Sequence, residues 1–173
     1  PLIPYKVKGV IWYQGEANVG LEDEYEAVFQ AMIKDWRKQW GYKFPFYFVQ
    51  IAPYNYENGE SAALRNAQYK STATSNTGIV STLDLGNAKN IHPANKTDVG
   101  KRLANLALGY DYDVFGRLRA SKPVGITRNG SKLIVNFDCQ DGGYVSLKPN
   151  TNEIEISSDN ITYYPAKVFA DGC

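Results

Sequence analysis

One histidine, one methionine and two cysteines stand in the chain's 173 residues, so the side chains that bind metals or carry redox chemistry are nearly absent. Cys139 and Cys173 are too few for a disulfide scaffold and sit in no metal-ligand spacing. With His92 as the lone imidazole and no Cys pair, a zinc site is not expected. No stretch approaches the ~20 apolar residues of a membrane span. Charge of neither sign dominates: 19 basic residues stand against 18 acidic ones, for a net of +1. The basic residues are scattered rather than striped, which argues against a nucleic acid partner. No internal repeat, low-complexity tract or signal peptide is visible within these residues. The chain begins Pro1-Leu2-Ile3-Pro4 without a Met and stops at Cys173 soon after a strand-like run. Both ends are therefore expected to be cuts through a longer protein.

What the chain has in quantity is aromatic side chains, 13 Tyr and 3 Trp among them. Tyrosines often meet sugars, but they sit equally well on strand faces, and packing is the expected role for most. The length suits one sizeable core with part of a second unit. Residues 7–13 form a short β-branched apolar run that predicts a buried strand. It ends in Gln14-Gly15-Glu16-Ala17-Asn18, amides and a carboxylate bunched where open α/β sheets gather their sites. A polar turn that merely starts the next helix is the other reading, and pattern alone leaves both open.

Residues 21–40 predict a helix, because Tyr25, Val28, Phe29, Met32, Ile33, Trp36 and Trp40 recur at three- and four-residue steps. Acidic residues at its start and basic ones at its end suit the helix dipole, and Gly41 stops it. A second strand is expected over 46–51, a loop over 52–59 and a helix over 61–74 with Ala63, Leu64, Ala67 and Gln68 on one side. Arg65 lies near the start of that helix, where the dipole disfavours a cation. Glu16 is the candidate carboxylate partner; a solvated Arg65 is the alternative that spacing favours. A third strand over 78–85 leads into the loop Lys89-Asn90-Ile91-His92-Pro93-Ala94-Asn95-Lys96, and a helix over 96–109 leads out.

Strands alternating with helices predict a parallel sheet covered on both faces. After Gly109 the texture changes to β-rich runs over 124–127, 132–137, 153–157 and 163–169, with turns at Asn129-Gly130, Asp141-Gly142-Gly143 and Asp159-Asn160. Asn-Gly between two such runs is a hairpin signal. The expected architecture is thus α/β: a partial three-layer parallel sheet flanked by helices over 1–115. A small, incomplete antiparallel unit follows over 116–173.

A histidine side chain can carry a proton near neutral pH, and His92 sits between a buried strand and a helix, a position suited to a general base. Gln14 and Asn18 could hold an oxyanion, and Asp84 could orient the imidazole. A nucleophile is missing. Cys139 and Cys173 lie in the β-rich tail, and none of Ser61, Ser71, Ser75 or Ser81 is on a small-residue strand-to-helix turn.

The block Gly9-Val10-Ile11-Trp12-Tyr13-Gln14-Gly15-Glu16-Ala17-Asn18 resembles one found in the sialate O-acetylesterase family, a branch of the SGNH (GDSL-like) hydrolases. Further similar blocks follow in the family's order: Asp35-Trp36-Arg37, Phe44-Pro45-Phe46 with Val49-Gln50, and Leu64-Arg65-Asn66-Ala67-Gln68. After these come Asp84-Leu85-Gly86, Ile91-His92-Pro93 with Asn95-Lys96, and Val99-Gly100 with Arg102-Leu103-Ala104. The resemblance runs from about residue 8 to 115 and more weakly into the tail.

It implies a serine esterase that removes O-acetyl groups from sialic acid or related sugars, without metal or cofactor. The nucleophile would lie in a Gly-Gln-Ser-Asn block upstream of this chain, in the N-terminal part of the same protein, so the chain alone is expected to be inactive. His92 matches the catalytic histidine, and Gln14, Glu16 and Asn18 match the block that helps shape the oxyanion pocket. Many relatives have an acid two or three residues before the histidine, where this chain has Asn90 and Lys89. The imidazole could be oriented by Asp84, by a backbone carbonyl or by nothing acidic, since the acid of a triad mainly fixes the tautomer. An extracellular, periplasmic or lysosomal location is implied rather than a cytoplasmic one. The competing class is a non-catalytic carbohydrate-binding module using Tyr54, Tyr56, Tyr110 and Tyr112.

Overall fold

A computed structural model describes residues 2–56, 61–114, 122–138, 154–159 and 161–170. Cys139, Cys173, the 141–143 turn and the ends of the 52–59 loop and the 153–157 run lie outside the described residues. The chain divides into two compact units, Pro1–Gly116 and Arg117–Cys173.

The first unit is built on three parallel strands in the order β1 (Val10–Trp12), β2 (Phe46–Val49) and β3 (Thr77–Val80). Between and after them come α1 (Glu22–Trp40), α2 (Ser61–Lys70) and α3 (Lys96–Tyr110). The central strand explains the layering. Successive side chains of a strand point to opposite faces, and all four residues of β2 are buried. Phe46 and Phe48 go into one core with Tyr25, Phe29 and Ile33 of α1 and Leu64 and Ala67 of α2. Tyr47 and Val49 go into the other with Val80 and with Val99, Leu103 and Leu106 of α3. A strand buried on both faces has no polar side to alternate, hence the unbroken Phe-Tyr-Phe-Val. Each fully buried Phe removes enough apolar surface to stabilise the fold by about 2–3 kcal/mol.

Helix α1 follows its expected span, closed by Gly41 in the left-handed region (φ 78°), whose N–H bonds Arg37 O and Lys38 O. The seven-residue stripe expected faces the core except at Val28, with Met32, Trp36 and Trp40 packed half-buried against it. Tyr25, Phe29, Ile33 and Arg37 lie at four-residue steps on the inner side, whereas Val28 is 64% exposed. The buried cation at the end of that line holds the layer together. Arg37 donates from Nε to Phe44 O (3.0 Å), from Nη1 to Ser75 O (2.7 Å) and from Nη2 to Asn76 O (2.7 Å). It therefore fastens the end of α1 to the segments entering β2 and β3. Burial lowers its pKa, the direction set by desolvation of the charged form.

The strands are shorter than expected at their carboxyl ends. β3 stops at Val80 because Thr82 turns to bond Gln50 O through its hydroxyl (2.7 Å) and Leu85 N closes a turn on Thr82 O (3.0 Å). The helix expected over 61–74 ends at Lys70 and tightens into a 3-10 turn, Ser71–Ala73, where the Ser71 hydroxyl bonds back to Ala67 O (2.9 Å).

In the second unit, β4 (Lys122–Asn129) and β5 (Lys132–Asp138) pair antiparallel around Gly130, at φ 59°. β6 (Glu155–Ile156) and β7 (Tyr164–Pro165) form a second antiparallel pair. The turn between them is organised by Asp159, whose carboxylate accepts from Ile161 N (2.9 Å), Thr162 N (2.8 Å) and Ser157 Oγ (2.9 Å). Those bonds to the charged form hold its pKa down to about 2. No described helix is long and apolar enough to cross a membrane.

Arg37→Met keeps the apolar stem but strips Phe44 O and Ser75 O of the guanidinium's bonds and removes one of the two donors to Asn76 O, which keeps Phe46 N. It should destabilise the protein by about 3 kcal/mol, read as a lower denaturation midpoint at unchanged slope. A midpoint within error of wild type would show the three bonds to be dispensable.

Candidate functional site

Three chain segments leave the carboxyl ends of β1, β2 and β3, and a buried amide ties the first two together. Gln68 of α2 is 0% exposed. Its Oε1 accepts from Ile51 N (2.9 Å), just beyond β2, and its Nε2 donates to Gln14 O (3.1 Å), just beyond β1. The Tyr25 hydroxyl of α1 donates to Gln14 O from 3.3 Å. Gly15 sits against this amide at φ 151°, and a Cβ there would lie 2.8 Å from Gln68 Nε2 and 2.9 Å from Ile51 Cγ2. Only glycine fits, on both conformational and steric grounds.

Gly15 in turn starts the 3-10 turn Glu16–Asn18. The turn brings Gln14 and Asn18 together, with Gln14 Nε2 donating to Asn18 Oδ1 at 2.6 Å. Both line a cavity of about 330 Å³ whose walls include Trp12, Leu21, Tyr25 and Met32. Glu16 is half-buried, and its charge raises the pKa of the Tyr13 and Tyr25 phenols beyond the larger effect of burial.

The histidine loop is held to the segment after β2. Gly86 packs on Pro53 so closely that a Cβ would lie 2.7 Å from both its backbone N and O. Asn55 N donates to Ala88 O (3.1 Å). Two asparagines then shape the loop from within, Asn87 Oδ1 accepting from Lys89 N (2.8 Å) and Asn90 Oδ1 from His92 N (2.9 Å). At the loop's exit Asn95 caps α3, its Oδ1 accepting from Asp98 N (3.1 Å). Lys96 places its ammonium 4.9 Å from the centre of the Tyr13 ring, a cation–π contact that joins the start of α3 to the end of β1. His92 is exposed, and its ring nitrogens bond no described residue.

Asp84, the acid at the start of this loop, lies in a two-pronged pair with Arg102 of α3: Nη1–Oδ1 2.7 Å and Nη2–Oδ2 2.6 Å. The pair raises the Arg102 pKa. It is exposed, so its value lies in geometry more than in stability, and it fixes the turn after β3 onto α3. Arg65 does not pair with Glu16. Its Nη1 donates to Ser61 Oγ one turn back (2.7 Å), and Gln50 Nε2 donates to its carbonyl (3.1 Å). Burial lowers its pKa. The structure thus brings Gln14 and Asn18 into contact, and puts Arg65 and Glu16 near the same phenol, Tyr56, without an ion pair.

Two contributors went unremarked as such in the sequence. Gln68 could have been suspected as a polar residue on the inner side of a helix with Leu64 and Ala67. Arg102, half-buried and about two turns past the Asn95 cap, carries no comparable local signal for its partner eighteen residues away.

The model of the family described as carbohydrate esterase, sialic acid-specific acetylesterase, matches residues 2–109. The mouse sialate O-acetylesterase is 32% identical over 97% of this chain and 36% of its own length. The human sialate O-acetylesterase is 30% identical over 60% of this chain and 24% of its own. A crystal structure of a carbohydrate acetylesterase from Xanthomonas citri superposes with a TM-score of 0.84 at 35% identity, over 99% of this chain and 42% of that one. The chain therefore spans well under half the length of these relatives.

Replacing Gln68 by Leu removes the acceptor of a buried N–H and the donor to a strand-end carbonyl. A loss of about 2–4 kcal/mol is expected in chemical denaturation. Gly15→Ala should cost about 1–3 kcal/mol through its φ and the same close approach. Wild-type midpoints for both would remove the amide from its central place.

Proposed function

This chain belongs to the sialic acid-specific acetylesterase family of carbohydrate esterases, and on that premise we propose that it is the base-bearing part of a serine esterase acting on O-acetylated sugars. The observation that supports this reading best is the contact of Lys96, at the end of the His92 loop, with Tyr13, the residue that precedes the Gln14–Asn18 turn. His92 is exposed, on a loop held at both ends, so its imidazole can approach a partner that the chain itself does not supply. β1 is, with β3, one of the two outer strands of the described parallel sheet, and its Ile11 is 69% exposed. This suits an adjoining part of the same protein bringing the serine to the turn after β1.

In the proposed reaction the serine hydroxyl attacks the acetyl carbonyl as His92 takes its proton. The oxyanion that forms is held by N–H groups of the turn and by a side-chain amide of the Gln14–Asn18 pair. Collapse expels the sugar oxygen, which receives the proton from His92. Water then attacks the acetyl-enzyme, giving up a proton to His92, and acetate leaves as the proton returns to the serine. Asp84 acts in this scheme by anchoring the loop through Arg102, and Asn90 by fixing the His92 backbone.

Two measurements test the scheme. The isolated chain should release no acetate from an aryl acetate. The full-length protein should release acetate from an O-acetylated sialic acid, and either His92→Ala or alanine at the upstream serine should lower kcat by at least ~10³-fold. Glycan binding that survives His92→Ala in a full-length protein without esterase activity would instead favour a binding module.

A further inference from the structure

Lys96 stands where a cation is disfavoured. It is the first residue of α3, just inside the Asn95 cap, and the free N–H groups at a helix start repel positive charge. Among the described residues its ammonium pairs with no carboxylate. It lies over the Tyr13 ring instead, 4.9 Å from the centre, where the negative face of the aromatic system attracts it. That ring has little freedom to move. Tyr13 is half-buried, packs against the core that holds Val49, Val80, Val99 and Leu103, and has its hydroxyl buried.

The two ends of the contact belong to the two halves of the proposed site. Tyr13 directly precedes Gln14, whose carbonyl is held by Gln68 and whose side chain bonds Asn18. Lys96 follows His92 by four residues, and Pro93 between them is buried. The start of the His92 loop is fastened to α3 through Asp84 and Arg102, and its middle to Pro53 and Asn55. Those contacts fix the loop to α3 and to the segment after β2. The contact of Lys96 with Tyr13 fixes it to the segment after β1.

We propose that Lys96 is a positioning residue for the acyl transfer: its ammonium, seated on Tyr13, sets how the His92 loop lies relative to the Gln14–Asn18 turn. This rests on the esterase reading above and deepens it. The base and the oxyanion donors act on one tetrahedral intermediate, so an error in their relative placement lowers the rate even when each is intact. The role needs a cation and an aromatic face, and neither touches the substrate. Arginine keeps the charge, whereas methionine keeps the stem and loses it. Because Lys96 acts through Tyr13, removing either partner has the same consequence and removing both adds nothing.

The test uses the full-length protein with an O-acetylated sialic acid as substrate. Lys96→Met should lower kcat about 3–10-fold with KM little changed, and Lys96→Arg should recover most of the loss. Tyr13→Leu should lower kcat to a similar degree, and the double variant should be no slower than Tyr13→Leu alone. A wild-type kcat in Lys96→Met, or a loss that falls on KM, overturns the proposal and leaves the esterase reading standing. So does a double variant whose losses multiply, which would mark Lys96 as a substrate contact. A second readout does not depend on turnover. Amide hydrogen exchange over residues 86–95 should be about threefold faster in Lys96→Met than in wild type, and unchanged in Lys96→Arg. Wild-type exchange in Lys96→Met overturns the proposal whatever the turnover. A full-length wild type that releases no acetate ends the esterase reading, and exchange then still decides whether Lys96 sets the loop.

Discussion

A single buried side chain, the amide of Gln68, decides where the strand ends lie. It satisfies the N–H after β2 and the carbonyl after β1 from a position fully shielded from water. Both are backbone groups that the short strands leave without partners in the sheet. A buried polar group is costly when unmatched and orienting when matched, because few geometries satisfy all of its bonds together. Gly15 follows from that amide, since no side chain fits between it and Ile51. The Gln14–Asn18 contact then follows from the turn that Gly15 begins.

The opposite end of the same layers is held by another buried polar side chain. Arg37 binds three carbonyls that precede β2 and β3, while the phenylalanines of β2 fill the space between. Apolar burial gives the layers their cohesion but little direction. Gln68 and Arg37 supply the direction, one at each end of the strands. The site edge consequently rests on a rigid base, and its loops are shaped by short local bonds from Asn87, Asn90 and Asn95.

Under the proposed acyl-transfer reading these features have a common purpose. An acyl-transfer site needs a base that can move protons and donors fixed where negative charge develops. His92 is exposed on a loop restrained at both ends, and the turn after β1 is restrained from beneath. Asp84 and Arg102 join the loop to α3, so the carboxylate expected from sequence as an orienting acid is found in the structure anchoring the loop.

The order of strands and helices, the span of α1 and the loop carrying His92 were all legible in the chain, because apolar periodicity, caps and short family blocks are local in sequence. The two-faced core was legible too, in the unbroken apolar run of β2. Partner choice was not. Gln14 and Gln68 are 54 residues apart, Arg37 and Asn76 are 39 apart, and Asp84 and Arg102 are 18 apart. Residue types and spacing say nothing about which of these meet, and so Arg65 could be matched with Glu16 on charge alone. Val28 looked like core by its spacing, yet it lies at the mouth of the cavity. The sequence by itself determined which elements form and what chemistry they carry. Only the tertiary structure decided which polar groups are satisfied within the chain, because hydrogen bonds depend on distances of a few tenths of an ångström that arise only once the layers have packed.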